Sequence, residues 1–338
     1  MRMLRPSIAI VGAGLMGHWH ADAARRAGAR VSAVVDADAA RGVALARRYR
    51  ATPYATTDAL FDSPARLDAA HVCTPPESHG ALVRSLLDKG IHVVCEKPLA
   101  PTATEVAALY DRAREGGREL CPVHQFTCQQ GVVAAREHLD EIGELRRVAF
   151  SFHSAGGRGH AGAQLDAIVQ DILPHPLSIL ATLQPRYPLE PVEWRCGSPG
   201  PGELLAVGQH GPATVSISIS LTARPTEASA TLSGTAGSIK LDFFHGYSTL
   251  NRGQVSRADK VLRPFANAFT LLGAASGNAL RRVLTWEAAY PGLRALLRKF
   301  YASFDGSAAA PPFGAAEVIG IYLARDRIAA AMSRKGGA

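Results

Sequence analysis

The chain has 338 residues, 47% of them hydrophobic and 20% charged, proportions of a globular protein that fit neither a disordered chain nor a membrane bundle. This length exceeds one typical domain and predicts two, each able to bury its own core. The formal charge is +8, from 37 Lys and Arg against 29 Asp and Glu. The basic residues nevertheless fall in separate pairs such as Arg25-Arg26 and Arg146-Arg147, with no aromatic-basic stripe, which argues against a nucleic-acid partner.

Residues 7 to 123 alternate short apolar runs with helical patterns, as βαβ units with a parallel sheet do. Strands are expected at SIAIVG, RVSAVVD, AAHVCT, HVVCEK and near Leu120 to Val123, with helices at His20–Ala27, Ala39–Tyr49, His79–Lys89 and Ala103–Glu115. The central runs lack polar alternation, which fits strands covered on both faces. The run SIAIVGAGLMG is too short and glycine-rich for a secretory leader and reads as the first strand. No apolar run reaches the roughly 20 residues of a spanning helix. Five cysteines at irregular spacing make no disulfide framework, so a reducing, cytoplasmic setting is expected.

Beyond residue 124 the pattern changes. A short helix (Gln130–Leu139), the strand-like LRRVAFSFHSA and a helix over Asp166–Thr182 precede the alternating runs LLAVGQ, ATVSISISLTA, EASATLSG and SIKLDFF. The expected architecture is therefore α/β: an N-terminal doubly wound parallel sheet in residues 1–123, and in 124–338 an α+β domain with an open, mostly antiparallel sheet. Pro264–Leu280 reads as an uncharged helix for an oligomer interface, for packing on the sheet, or for a lid or membrane-surface contact. Ala315–Ala331 reads as a closing amphipathic helix.

The strongest motif is Gly12-Ala-Gly14-Leu15-Met16-Gly17, directly after a strand and opening a helix. Gly12 permits a tight turn, Gly14 lets backbone approach a pyrophosphate, Gly17 lets the helix pack on the strand, and the helix N-terminus offers amides to the phosphates. The second strand ends in Asp36, about 20 residues on, where a carboxylate accepts from ribose hydroxyls and repels a 2′-phosphate. NAD is accordingly favoured over NADP, although Arg41 is near enough to meet a phosphate. The domain is read as a Rossmann domain.

Three further motifs, Gly17-His-Trp-His20, Cys73-Thr74-Pro75-Pro76-Glu-Ser-His79 and Glu96-Lys97-Pro98, resemble the glucose–fructose oxidoreductase, inositol dehydrogenase and MocA (Gfo/Idh/MocA) family. Ile142-Gly143-Glu144, Asp171-Ile-Leu-Pro-His175 and Gly234-Thr-Ala-Gly237 resemble its C-terminal domain. The resemblance implies a nicotinamide-dependent dehydrogenase or reductase in which Thr74, Pro75, Pro76, His79, Glu96 and Lys97 border the cofactor and Lys97–Pro98 is cis.

Lys97 closes an apolar strand at the carboxyl edge, where desolvation moves a lysine toward the range useful for proton transfer, or it is a surface cap. Asp171 and His175 are four apart and share a helical face; an imidazole exchanges protons near neutrality and a carboxylate holds its tautomer. Lys97, Asp171 and His175 are the expected catalytic set. His124, Gln125, His153 and His175 are candidate substrate contacts, with a buried hinge as the alternative for His124 and Gln125. Leu173 and Ser178 depart from the family's Asp-x-Gly-x-His-x-x-Asp pattern and imply a bulkier, drier pocket that counts against a simple polyol. Histidine and cysteine spacing gives no metal site.

The expected activity is hydride transfer between nicotinamide and a hydroxyl or carbonyl, or amine or imine, carbon of a small molecule such as a sugar or a secondary-metabolite intermediate. A redox-neutral, NAD-assisted elimination or glycoside cleavage and a non-catalytic dinucleotide sensor are the rivals. Small polar residues alternating along ATVSISISLTA predict a homodimer or homotetramer through the C-terminal sheet.

Overall fold

The structure, a computed structural model, describes residues 5–253, 257–287, 289–304 and 309–333. It divides into two compact units, Met1–Gln125 with Leu293–Ile319, and Phe126–Gly292 with Gly320–Ala338.

The first unit is built on β1 (Ser7–Val11), α1 (Leu15–Arg26), β2 (Arg30–Val35), α2 (Ala39–Tyr49), β3 (Thr52–Tyr54), α3 (Thr57–Phe61), β4 (Ala69–Val72), α4 (His79–Asp88), β5 (His92–Cys95), α5 (Ala103–Glu115) and β6 (Leu120–Pro122). The six strands are parallel in the order β3-β2-β1-β4-β5-β6. The reversal beside β1 is where such sheets open a crevice for ligands. Ile8, Ile10, Val34, Val72, Val93 and Val94 are fully buried, as two-sided helix cover demands. Prolines occur only in the edge strands, Pro53 in β3 and Pro122 in β6, where a missing ladder donor costs least. Asp38, Thr56 and Thr102 cap α2, α3 and α5 through their side chains, each such cap contributing about 1 kcal/mol.

The second unit begins with α6 (Gln130–Glu137), β7 (Leu145–His153), α7 (Ala163–Ile172) and α8 (Pro174–Leu183). It continues through β8 (Arg195–Gly197), β9 (Glu203–His210), β10 (Ala213–Ser220), β11 (Glu227–Gly234), β12 (Gly237–Asp242), β13 (Tyr247–Arg252) and α9 (Arg257–Thr285). Its seven strands run in the order β13-β12-β11-β7-β10-β9-β8, with only β7 and β10 parallel. One face carries Val148, Phe150, Val215, Ile217, Ala230 and Leu232, all buried. On the other face Ala149, Ser151, Ser216, Ser218, Ser229 and Thr231 are half-buried.

Several boundaries differ from expectation. The first helix starts at Leu15, not His20, because Gly14 serves as its N-cap. The single helix expected over Asp166–Thr182 is two, because Pro174 and Pro176 lack the amides that would carry α7 into α8. β3, α3, β8, β13 and a helix over Leu293–Ala302 were not expected; β3, α3 and β8 are five residues or shorter.

The chain-order division at 123/124 also differs from the units observed. In α10 (Leu293–Ala302), Leu293, Leu296, Leu297, Phe300 and Tyr301 form one buried stripe, and the helix lies against α1. Arg294 Nε donates to Arg26 O at 3.2 Å, adding a directed bond to that packing. The closing helix, α11, spans Ala315–Ser333.

Within 251–290, residues 254–256 and 288 lie outside the described residues. The expected helix is present as α9, longer at both ends. Asn278 donates to His245 O at 2.7 Å, while Leu262, Phe265, Phe269, Leu272 and Val283 form an exposed apolar stripe.

Candidate active site

The glycine loop joins β1 to α1. Gly12 has φ +98°, and a Cβ there would stand 2.7 Å from Cys73 O, so only glycine fits. A Cβ on Gly17 would collide with Gly12 O, whereas one on Gly14 would meet nothing within 4 Å. Gly12 and Gly17 therefore shape the loop, and Gly14 leaves space above it. Gly14 caps α1 with no side-chain bond, so the helix presents bare amides to that space. Leu15 beside it is 68% exposed, an unusual position for leucine, and Met16 is half-buried.

Asp36 follows β2 and is fastened to the loop. Its Oδ2 accepts from the Ala13 amide at 2.6 Å and its Oδ1 from the Asp38 amide at 2.8 Å. Arg41 leans across the same carboxylate, Nη2 to Asp36 Oδ1 at 3.4 Å and Nε to Asp38 Oδ2 at 3.2 Å. Its side chain remains 59% exposed, so the cation expected to be within reach of a phosphate stands beside Asp36.

The loops after β4 and β5 are tied together by His79. Its Nδ1 lies 2.7 Å from Pro98 O and its Nε2 2.8 Å from Thr74 O. The ring is buried between two carbonyl oxygens, to one of which a neutral imidazole donates, and so lies against both loops. Thr74 accepts from Ser78 Oγ at 2.7 Å, and Pro75 and Pro76 are exposed. Lys97–Pro98 is cis. Lys97 is half-buried, its amide donating to Glu96 Oε2 at 3.3 Å.

His124 sits deeper than a substrate contact would. It is fully buried, edge-on to Phe313 at 5.4 Å, and burial, with the Lys97 charge adding, pushes its pKa down to about 3. The structure thus supports its buried alternative and keeps the ring neutral. Gln125 is 7% exposed, and its Oε1 has no hydrogen-bond partner among the described residues. A buried orphan acceptor of this kind fits a ligand donor.

The second unit supplies Asp171 in the last turn of α7 and His175 in the first turn of α8, both half-buried. Leu173 between them keeps helical angles, so the two stay one turn apart despite the proline break. Phe126, which the sequence reading passed over, stacks on the His175 ring at 4.6 Å. Phe243 and Phe152 continue the stack at 5.8 and 5.9 Å. Ring faces in such a run carry no periodicity in sequence, since Phe126 and Phe243 come from separate turns and Phe152 from β7. Leu173 is fully buried in the core and Ser178 donates to His175 O at 2.9 Å. His153 ends β7, with Ser151 Oγ 3.2 Å from its Nε2 and Glu227 at 3.7 Å from Nδ1.

Bare helix amides over an open glycine, and a carboxylate fixed beside them, define a protein of the NAD(P)-binding Rossmann class. Residues 7–124 match the oxidoreductase family with NAD-binding Rossmann fold. That match covers about a third of the chain, all of it in the first unit.

Inositol 2-dehydrogenase 1 of Saccharopolyspora erythraea is 37% identical over 121 residues, 33% of this chain and 34% of that protein. D-xylose 1-dehydrogenase (NADP(+)) 2 of Haloferax volcanii is 32% identical over 123 residues, 36% of this chain and 38% of that protein. The alignments thus span little more than a third of these relatives. Over whole chains the fold is shared with an inositol dehydrogenase homolog from Azotobacter vinelandii, complexed with NADH and myo-inositol (TM-score 0.76, 21% identity, 98% of this chain and 97% of that one). It is shared equally with a levoglucosan dehydrogenase complexed with NADH and levoglucosan (TM-score 0.78, 15% identity, 98% of both chains).

Proposed function

We propose that this chain is a dehydrogenase or reductase that moves hydride between a nicotinamide and a hydroxyl-bearing or carbonyl carbon, or an amine or imine carbon, of a small polar molecule, with sugars and cyclitols as the leading class. The observation that carries the reading is the open Gly14 cradle at the α1 N-terminus with Asp36 bound to the same loop. The names of the relatives, which act on inositol, xylose and levoglucosan, support the substrate class.

Gly12, Gly14, Leu15, Met16, Gly17, Asp36, Thr74, Pro75 and Pro76 would hold the dinucleotide, with Glu96 and Lys97 at its nicotinamide end. When bound, the nicotinamide supplies the hydride acceptor or donor. Lys97 Nζ and His175 take the proton from the substrate hydroxyl in oxidation and return it in reduction. Asp171 orients His175, and Phe126 fixes the plane of its ring. Gln125 Oε1 receives a ligand donor.

NAD is the preferred cofactor in this reading, because a 2′-phosphate would crowd the Asp36 carboxylate; Arg41 offsets part of that repulsion. The five cysteines are buried thiols, which fits a reducing, cytoplasmic setting. Among the described residues no helix is long and apolar enough to cross a membrane. The half-buried serine and threonine face of the seven-stranded sheet is proposed to pair with a second copy, which light scattering reads directly.

Calorimetry with NADH and NADPH tests the cofactor assignment, and a panel of cyclitols, aldoses and sugar acids scored by absorbance of the reduced cofactor tests the activity. Tighter NADPH binding by the wild type overturns the former, and no turnover across the panel overturns the sugar class.

A further inference from the structure

Four side chains in the N-terminal unit form one buried chain, of which the reading above uses Glu96 alone. They come from separate elements: Glu96 just past β5, His20 on α1, His71 on β4 and Tyr301 on α10. His20 Nε2 lies 3.0 Å from Glu96 Oε1, His20 Nδ1 lies 3.1 Å from His71 Nδ1, and His71 Nε2 lies 2.9 Å from the Tyr301 hydroxyl. Both imidazoles are fully buried and Tyr301 nearly so; the Glu96 side chain, 13% exposed, is the end that reaches toward solvent.

The order of atoms fixes the direction of the hydrogen bonds. A neutral imidazole has one donor and one acceptor, and an ionised carboxylate only accepts. If Glu96 accepts, His20 carries its proton on Nε2 and offers a lone pair at Nδ1. His71 must then donate from Nδ1 and accept at Nε2, where the Tyr301 hydroxyl donates. Every group is satisfied with both rings neutral.

The reverse order needs a protonated Glu96 and turns the Tyr301 oxygen into an acceptor, leaving its buried proton without a partner among the described residues. Buried polar groups are rarely left so. Burial, with His20 adding, pushes the His71 pKa well below its ordinary value, and burial pushes the Tyr301 hydroxyl well above its own. Both shifts keep the His71 ring neutral and Tyr301 protonated, as either order requires, so the choice rests on the hydrogen-bond geometry.

We propose that Tyr301, His71 and His20 are positioning residues, a directional hydrogen-bond chain through the core that fixes the Glu96 carboxylate and, through its second oxygen, the backbone of Lys97. That second oxygen accepts from the Lys97 amide at 3.3 Å. On the other side His79 holds Pro98 O, so Lys97 stands between two histidine anchors. The direction of the chain stands on geometry alone, while its importance for turnover rests on the reading of Lys97 as a proton carrier.

Long-range proton–nitrogen correlation on histidine-labelled wild type reads the tautomers directly. His20 is expected as the Nε2–H form and His71 as the Nδ1–H form; the opposite pair, or an imidazolium at either ring near neutrality, would falsify the proposal. Tyr301→Phe removes the hydroxyl and keeps the ring. It is expected to move the nitrogen shifts of His20, to which Tyr301 makes no hydrogen bond, and to change the rate of Lys97 acetylation several-fold relative to exposed Lys89.

His71→Asn retains an N–H toward His20 and is expected to keep the wild-type Lys97 rate, whereas the apolar His71→Leu loses it. Equal Lys97 rates in wild type, Tyr301→Phe and His71→Leu would reduce the chain to core packing. The tautomers decide the matter in wild type even if a variant does not fold. No substrate enters these measurements, so failure of Lys97 as a proton carrier is seen separately, as undiminished turnover in Lys97→Ala.

Discussion

The two units hold their candidate side chains by different physics. In the N-terminal unit the pins are directional: Asp36 accepts from the Ala13 and Asp38 amides, His79 spans the Thr74 and Pro98 carbonyls, and Glu96 meets His20. In the C-terminal unit His175 lies on the Phe126 ring, first of a run of aromatic faces, between two prolines that have no amide to offer. Hydrogen bonds fix distance and angle together, whereas stacked rings fix a plane and tolerate sliding along it. The half read as meeting one constant ligand is thus rigidly referenced, and the half read as meeting a substrate is built from surfaces that can adjust.

The sharpest way to break that contrast is to remove one proton carrier from each half. Lys97→Ala and His175→Ala are each expected to slow single-turnover hydride transfer by roughly 100- to 10,000-fold, the range for lost general acid–base catalysis. NADH affinity measured alongside should barely move, since the phosphates rest on the glycine loop. Asp171→Asn should cost less than His175→Ala. Wild-type rates in both alanine variants would place the chemistry elsewhere.

A smaller effect separates loop shape from ligand space within the rigid half. Gly17→Ala forces its Cβ against Gly12 O and should lower stability by about 2 kcal/mol, visible as a drop in melting temperature. Gly14→Ala meets open space and should leave the melting temperature in place while weakening NADH binding by roughly tenfold, a loss near 1.4 kcal/mol. Unchanged NADH affinity in Gly14→Ala would mean that the space above the loop is not the ligand's.

The gentlest perturbation is acid. The His124 and His92 pKa values are pushed down to about 3 and about 4, the latter by burial with the Arg118 charge adding. The unfolded chain protonates these rings near pH 6.5, so it binds more protons than the folded chain below that value. Their stabilising effect is complete above about pH 6.5 and declines as the medium acidifies, levelling off near pH 4 for His92 and pH 3 for His124. Because the same unit also holds buried His71, its melting should respond first between pH 6.5 and 4, followed by circular dichroism. A flat melting temperature over that interval would contradict the burial of these rings.

Much of the rigid half was legible from sequence because its signals are local. The glycine spacing, the β-branched runs and Asp36 all lie within one βαβ stretch, where chain order and spatial order coincide. The chain from Tyr301 to Glu96 was not legible, because its four members are far apart in sequence and no period links them. Nor was the stack of Phe126, Phe243 and Phe152 under His175, for the same reason. The break between α7 and α8 could have been read from Pro174 and Pro176; their helix-compatible neighbours masked it. β13 was missed because its first five residues are all half-buried and show no two-residue alternation.

Because the first unit borrows Leu293–Ile319 from the far end of the chain, its assembly cannot keep pace with synthesis. Between Gln125 and Leu293 the ribosome must add about 170 residues, which at 5–20 residues per second takes about 10–30 s. During that interval the face of α1 that α10 covers stays open, and His71 waits for the hydroxyl of Tyr301. A nascent chain stalled before Leu293 would carry a complete glycine loop on an unfinished core, the kind of surface that chaperones hold.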